Sequence, residues 1–242
     1  MYKGMKVLAV ALSTAMLATG SANAATVVLD SMTASWQNTV GGHNVDEGSG
    51  NPAELSWGSG GTSKYRFSGN DPVTYNLPPT PTASKSLGTL THFNQSINNG
   101  SAITKTQLKL TTDILVDGSG VGSYDFVFDI FHDETNNVWK LWDWNCCDDE
   151  VTFGPTDQSQ SFTFGGMDYT LYLTGFGNNA NNIKTTFYSE EGQNNSVKLW
   201  GYIDAAPVQT AVPEPSTWAM MIGGLGLVGM TMRRRKTTVS FA

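Results

Sequence analysis

The chain has few cations, almost no cysteine and no long helix-forming runs, and each shortage removes a class of function. Fourteen Lys and Arg stand against twenty-one Asp and Glu in 242 residues. Six of those cations sit at the two ends. Between Ala25 and Val212 eight cations face twenty carboxylates, a net charge of −12. Nucleic acid and anionic lipid both need clustered cations, so nonspecific binding to either is excluded for this acidic segment. Long Leu/Ala/Glu/Lys runs are missing, which rules out a helical domain, while Thr, Val, Phe, Tyr, Trp, Gly and Asn are plentiful. No βαβ alternation and no internal repeat is visible. Catalytic and metal spacings are missing as well. There is no Gly-x-Ser-x-Gly elbow, His43 and His132 have no His-x-His or His-Glu-x-x-His partner, and no Asp-x-Asp-x-Asp-Gly loop occurs. Neither an enzyme nor a zinc site is expected.

What is present is concentrated first at the termini. Lys3 and Lys6 precede an apolar run, Val7 to Ala18, and the small residues Ala22-Asn23-Ala24. This is the pattern of a secretory signal peptide over residues 1–24, removed by signal peptidase before Ala25. At the other end Val212-Pro213-Glu214-Pro215 closes a linker over 205–216. An uncharged stretch at 217–232 follows, then the basic stop Arg233, Arg234, Arg235 and Lys236 in a cytoplasmic tail at 233–242. From Trp218 to Met232 a helix spans roughly 22 Å, short of a hydrocarbon core of roughly 30 Å. It is expected to be a short transmembrane helix, with Gly223, Gly224, Gly226 and Gly229 offering small faces for docking on another membrane protein. The order of proline motif, short span and basic stop resembles the PEP-CTERM signal of Gram-negative bacteria. That resemblance implies an exosortase, a membrane transpeptidase, as partner. It also implies a precursor anchored in the inner membrane, and a final place at the cell surface or in the extracellular matrix.

The segment 25–204 is long enough for one domain with a full core. From Leu108 the residues Leu108, Leu110, Thr112, Ile114 and Val116 alternate with polar ones. After the turn Asp117-Gly118-Ser119-Gly120 the pattern resumes with Tyr124, Phe126, Phe128 and Ile130 on one face. The spacing predicts an antiparallel hairpin. Further strands are predicted at 26–30, 35–39, 54–57, 65–68, 138–142, 151–153, 161–164, 169–174, 185–189 and 197–203. Many short strands separated by Gly and Asn clusters predict an all-β antiparallel sandwich of jelly-roll type.

Within that domain Thr91-His92-Phe93-Asn94 ends a strand. With both sorting signals it resembles the Thr-His-x-Asn (THxN) family of PEP-CTERM proteins, with Thr91, His92 and Asn94 in the fixed places. The resemblance implies an exported β-rich domain linked with exopolysaccharide and biofilm, and no enzymatic activity. The residues themselves suit structural work: Asn94 in an Asx-turn, His92 donating to a carbonyl while its ring packs.

Cys146 and Cys147 are the only cysteines. In an oxidising compartment the pair either closes a vicinal disulfide, stays as two thiols or links to another chain. Trp139, Trp142 and Trp144 flank them and are either a platform for stacking on sugar rings or core. The first reading would make the domain a carbohydrate-binding module that takes extracellular polysaccharide. Carboxylates gather on both sides, with Asp125, Asp129, Asp133 and Glu134 before this segment and Asp143, Asp148, Asp149 and Glu150 around its end. They form either a solvated acidic surface or a place for calcium, the one cofactor left open.

Overall fold

The computed structural model describes residues 24–135, 148–154, 159–208 and 215–233. Among these described residues fourteen strands form two seven-stranded sheets. The first runs in the order β13 (Thr186–Ser189), β10 (Asp149–Phe153), β9 (Ser119–Asp133), β8 (Ile103–Val116), β1 (Ala25–Gly41) and β3 (Ser49–Gly50), with β6 (Val73–Leu77) also paired to β1. The second runs β11 (Ser159–Phe164), β12 (Met167–Gly177), β14 (Asn194–Pro207), β7 (Lys85–Phe93), β5 (Ser63–Gly69), β4 (Ala53–Trp57) and β2 (Asp46–Glu47). The ladders are antiparallel, and the expected all-β sandwich is the fold.

The β8–β9 hairpin shows why. Leu108, Leu110, Thr112, Ile114 and Val116 are buried along β8, as are Phe126, Phe128 and Ile130 along β9. Period-two alternation gives each strand one apolar face, and each large side chain buried there contributes about 1.5–3 kcal/mol. Asp117 (φ 51°) and Gly118 (φ 76°) close the hairpin with positive φ at both turn positions, the geometry whose twist matches the flanking strands.

Two expected strands, 26–30 and 35–39, are one seventeen-residue strand, β1. Its register against β8 shifts between Asp30 and Thr33, where Ser31 takes φ 54°. That bulge resets the phase: Val27 and Leu29 point inward before it, Met32, Ala34 and Trp36 after it. Val73, Tyr75 and Leu77 form β6, a strand not predicted; it is five residues long and bounded by prolines at positions 72 and 78. The strand predicted at 138–142 lies outside the described residues.

The sandwich begins and ends at one pole. Ala25 and Ala205 line the same surface hollow, about 190 Å³, together with Leu77, Thr80, Val116 and Asp117. The Thr26 amide donates to Asp117 Oδ1 at 2.8 Å, and the Ala205 amide to Thr80 Oγ1 at 2.9 Å.

The chain divides after Ala205, and the second unit carries α1 (Pro215–Arg233), nineteen residues with Trp218 and Met220 to Met230 exposed wherever they are large and apolar. The helix expected at 217–232 is therefore present. Among the described residues no helix is long and apolar enough to cross a membrane. Four glycines and the Pro-Ser-Thr start dilute its apolar content.

Candidate functional site

A cluster of buried polar side chains lies at the end of the sandwich away from Ala25 and Ala205, where β9 and β10 face β4, β5 and β7. Register explains it. Val151 of β10 stands opposite His132 of β9, and Glu150 opposite Asp133. His132 and Glu134, two residues apart, therefore share a face, and Asp149 shares that face from the neighbouring strand. On the other sheet His92 stands opposite Tyr65, which in turn stands opposite Leu55.

His132, Glu134 and Asp149 each bring one ligand atom within 4.8 Å of the other two. His132 Nε2 lies 3.3 Å from Glu134 Oε2 and 3.9 Å from Asp149 Oδ2, and its Nδ1 lies 2.6 Å from the Tyr65 hydroxyl. Asp149 Oδ1 accepts the Thr135 amide at 3.1 Å. Burial pushes the Asp149 carboxyl up to about 8; the charges of Glu134 and Glu191 add to this, while the Thr135 amide and the nearby Asn94 side chain draw it down. Burial also raises the Tyr65 hydroxyl well above its usual range, so it stays protonated.

His92 packs beside this group. Its ring stacks on Trp57 at 5.6 Å and 20°, and meets His132 edge to face at 5.4 Å. Nδ1 hydrogen-bonds Ser189 Oγ at 2.8 Å, rather than the carbonyl expected from the sequence. Asn94 does not close an Asx-turn; its Nδ2 donates to the Ser189 carbonyl at 3.0 Å, and Asn195 Nδ2 donates to Ser189 Oγ at 2.9 Å. Ser189 belongs to β13 of the first sheet, while His92 and Asn195 belong to strands of the second and Asn94 directly follows β7. The Thr-His-x-Asn segment thus clasps one sheet to the other. Thr91, facing out, pairs instead with Ser196 Oγ at 2.8 Å. Burial, and secondarily His132, lowers the His92 pKa well below the usual histidine range and keeps its ring neutral. Ser189 is 0 % exposed, so the serine–histidine contact has no surface at which to meet a substrate.

The other residues singled out in the sequence divide cleanly. Asp125 and Asp129 lie on the outer face of β9, bound to Lys109 at 3.2 Å and Lys105 at 2.8 Å, and belong to a solvated surface. Trp139, Trp142, Trp144, Cys146 and Cys147 lie outside the described residues. So do Val212, Pro213 and Glu214 of the sorting motif and Arg234, Arg235 and Lys236 of the basic stop; Pro215 and Arg233 are the first and last residues of α1. Sequence reasoning passed over Trp57, Tyr65, Glu134 and Asp149 as a unit. The one local signal was the His132-x-Glu134 spacing on a single strand face.

Among curated proteins none matches the sequence. The C-terminus does match: residues 211–236 fit the PEP-CTERM protein-sorting motif, covering the proline motif, the helix and the basic stop. The chain therefore carries a PEP-CTERM tail, the mark of an exported protein that an exosortase processes at a membrane.

Proposed function

We propose that this is a noncatalytic protein of the cell surface or extracellular matrix of a Gram-negative bacterium. It is cut by signal peptidase before Ala25, delivered through its C-terminal tail, and associated with exopolysaccharide or biofilm. The sorting match at 211–236 is the observation that carries the reading. Three features support it: the acidic, β-sandwich ectodomain; the start of β1 at Ala25, the first residue after the signal; and a helix α1 too weakly apolar to serve as a lasting anchor. Membership in the Thr-His-x-Asn group fits the clasp made by His92 and Asn94. Intact mass spectrometry of the surface-exposed population tests the reading. A form starting at Ala25 and lacking Arg233 to Ala242 is expected, and an intact basic tail on that population overturns it. On the same material a glycan array separates a matrix protein from a carbohydrate-binding module. Selective glycan binding lost on replacing Trp139, Trp142 or Trp144, without loss of stability, would establish the module.

A further inference from the structure

His132 Nε2 and Glu134 Oε2 lie at hydrogen-bond distance, 3.3 Å, but that contact leaves out Asp149, whose Oδ2 stands 3.9 Å from the same nitrogen. Asp149 is fully buried and its Oδ2 has no hydrogen-bond partner; Asn94, equally buried beside it, has an unpartnered Oδ1. Among the described residues the Lys and Arg ion pairs, those of Lys64, Arg66, Lys105 and Lys109, all go to Glu54, Asp125 and Asp129, and none reaches this cluster. Tyr65 lies 2.6 Å from His132 Nδ1. When Nδ1–H donates to that hydroxyl, Nε2 turns its lone pair toward Glu134 Oε2 and Asp149 Oδ2. In that tautomer a lone pair and two carboxylates repel one another unless a proton or a metal cation lies among them, and only a metal cation can be bound by all three atoms at once.

We propose that His132 Nε2, Glu134 and Asp149 bind a divalent transition-metal ion, with Zn²⁺ the best fit. Two carboxylates balance its charge. An imidazole nitrogen favours zinc over calcium, which takes six to eight oxygens. Tyr65 acts as the orienting partner that fixes the imidazole tautomer, the role such second partners play at metal-bound histidines. His132, Asp133, Glu134 and Thr135 line a surface hollow of about 560 Å³, which gives the ion a route in and leaves room for water at a fourth position. The ion would tie β9 to β10 on either side of the 136–147 segment and, through Tyr65, to the opposite sheet.

The test uses the full-length chain in detergent micelles, stripped with EDTA and titrated with Zn²⁺. One Zn²⁺ per chain by elemental analysis is expected, with a melting temperature about 5–10 °C above the stripped protein at a hundredfold excess over Kd. Comparing stripped and loaded forms of the unaltered protein makes this result independent of whether any variant folds. Glu134→Gln should weaken Zn²⁺ at least about tenfold, and Tyr65→Phe, which keeps the ring, by about 10–100-fold. Substoichiometric Zn²⁺ with no thermal shift overturns the proposal in favour of a protonated, metal-free carboxyl pair. Undiminished Zn²⁺ binding by Glu134→Gln and His132→Gln places the metal elsewhere and equally overturns it, as does selective binding of Ca²⁺ over Zn²⁺.

Discussion

Replacing Ser189 with Ala tests the inter-sheet clasp most directly. The substitution deletes one oxygen, so the cavity term is small, and the cost falls on the groups left behind. His92 is fully buried and its Nε2 already has no partner. Without Ser189 Oγ its Nδ1 loses its partner too, leaving a neutral imidazole with a buried donor and a buried acceptor unpaired. Stranding such a group costs about 1–3 kcal/mol. Asn195 loses less, because its Nδ2 also reaches the Glu190 carbonyl at 3.0 Å. The Asn94 bond to the Ser189 backbone carbonyl survives the change. A loss of about 2 kcal/mol lowers the melting temperature of a domain this size by about 4–8 °C. Urea unfolding followed by tryptophan fluorescence measures it, with an unchanged slope showing that the unfolded state is unaffected. His92→Phe supplies the control, since it keeps an aromatic ring against Trp57 and removes both ring nitrogens. In that background Ser189→Ala should cost less than about 0.5 kcal/mol, a coupling of about 1–2 kcal/mol in the double-mutant cycle. Equal costs in the two backgrounds would refute the clasp and reduce Ser189 to an ordinary buried side chain.

Two further outcomes follow from packing and charge. A Cβ at Gly88 would stand 2.5 Å from both Phe67 Cζ and the Ser68 carbonyl oxygen, so Gly88→Ala should cost about 1–3 kcal/mol in chemical denaturation, whereas Gly118→Ala, whose added methyl meets nothing within 4 Å, should lose only the smaller cost of its positive φ. The Arg66 hydrogen bond at 2.6 Å, with Lys64 behind it, holds Glu54 below its ordinary value of 4.5. A depressed folded-state pKa gives stability that is present above pH 4.5 and lost as pH falls through the folded value. Glu54→Gln should therefore flatten the acid limb of the melting profile below pH 4.5, and 1 M salt should shrink the difference because the pair is half exposed.

The strands that could be read from sequence were those whose alternation runs unbroken. From Leu108 to Val116 in β8 and from Tyr124 to Ile130 in β9 each inward position is apolar or threonine, so period two alone places them. β1 hid its unity because Ser31 shifts the phase in mid-strand, and a periodicity reading treats a phase change as an end. The Thr91-His92-x-Asn94 segment was visible, but its partner Ser189 lies ninety-seven residues from His92, and no local pattern announces a contact that the sandwich alone creates. The acidic residues were the hardest to sort. Charge in a strand reads as surface, which is correct for Asp125 and Asp129; Glu134 and Asp149 point inward because the ladder gives them the same parity as His132 and Val151.

The shared pole of Ala25 and Ala205 bears on how the precursor matures. The signal-peptidase cut proposed before Ala25 and the exosortase processing implied by the sorting match at 211–236 both lie beyond the strand termini that meet at this pole. Neither proposed cut falls within a strand, since β1 begins at Ala25 and β14 ends at Pro207. Folding can be complete before the second enzyme acts. Within the sandwich, His132 lies at the far end of β9 from Ser119, roughly 40 Å at the strand rise. The strand termini and the proposed metal site thus occupy opposite ends of one sandwich, so processing beyond Ala25 and Ala205 would leave the metal ligands untouched.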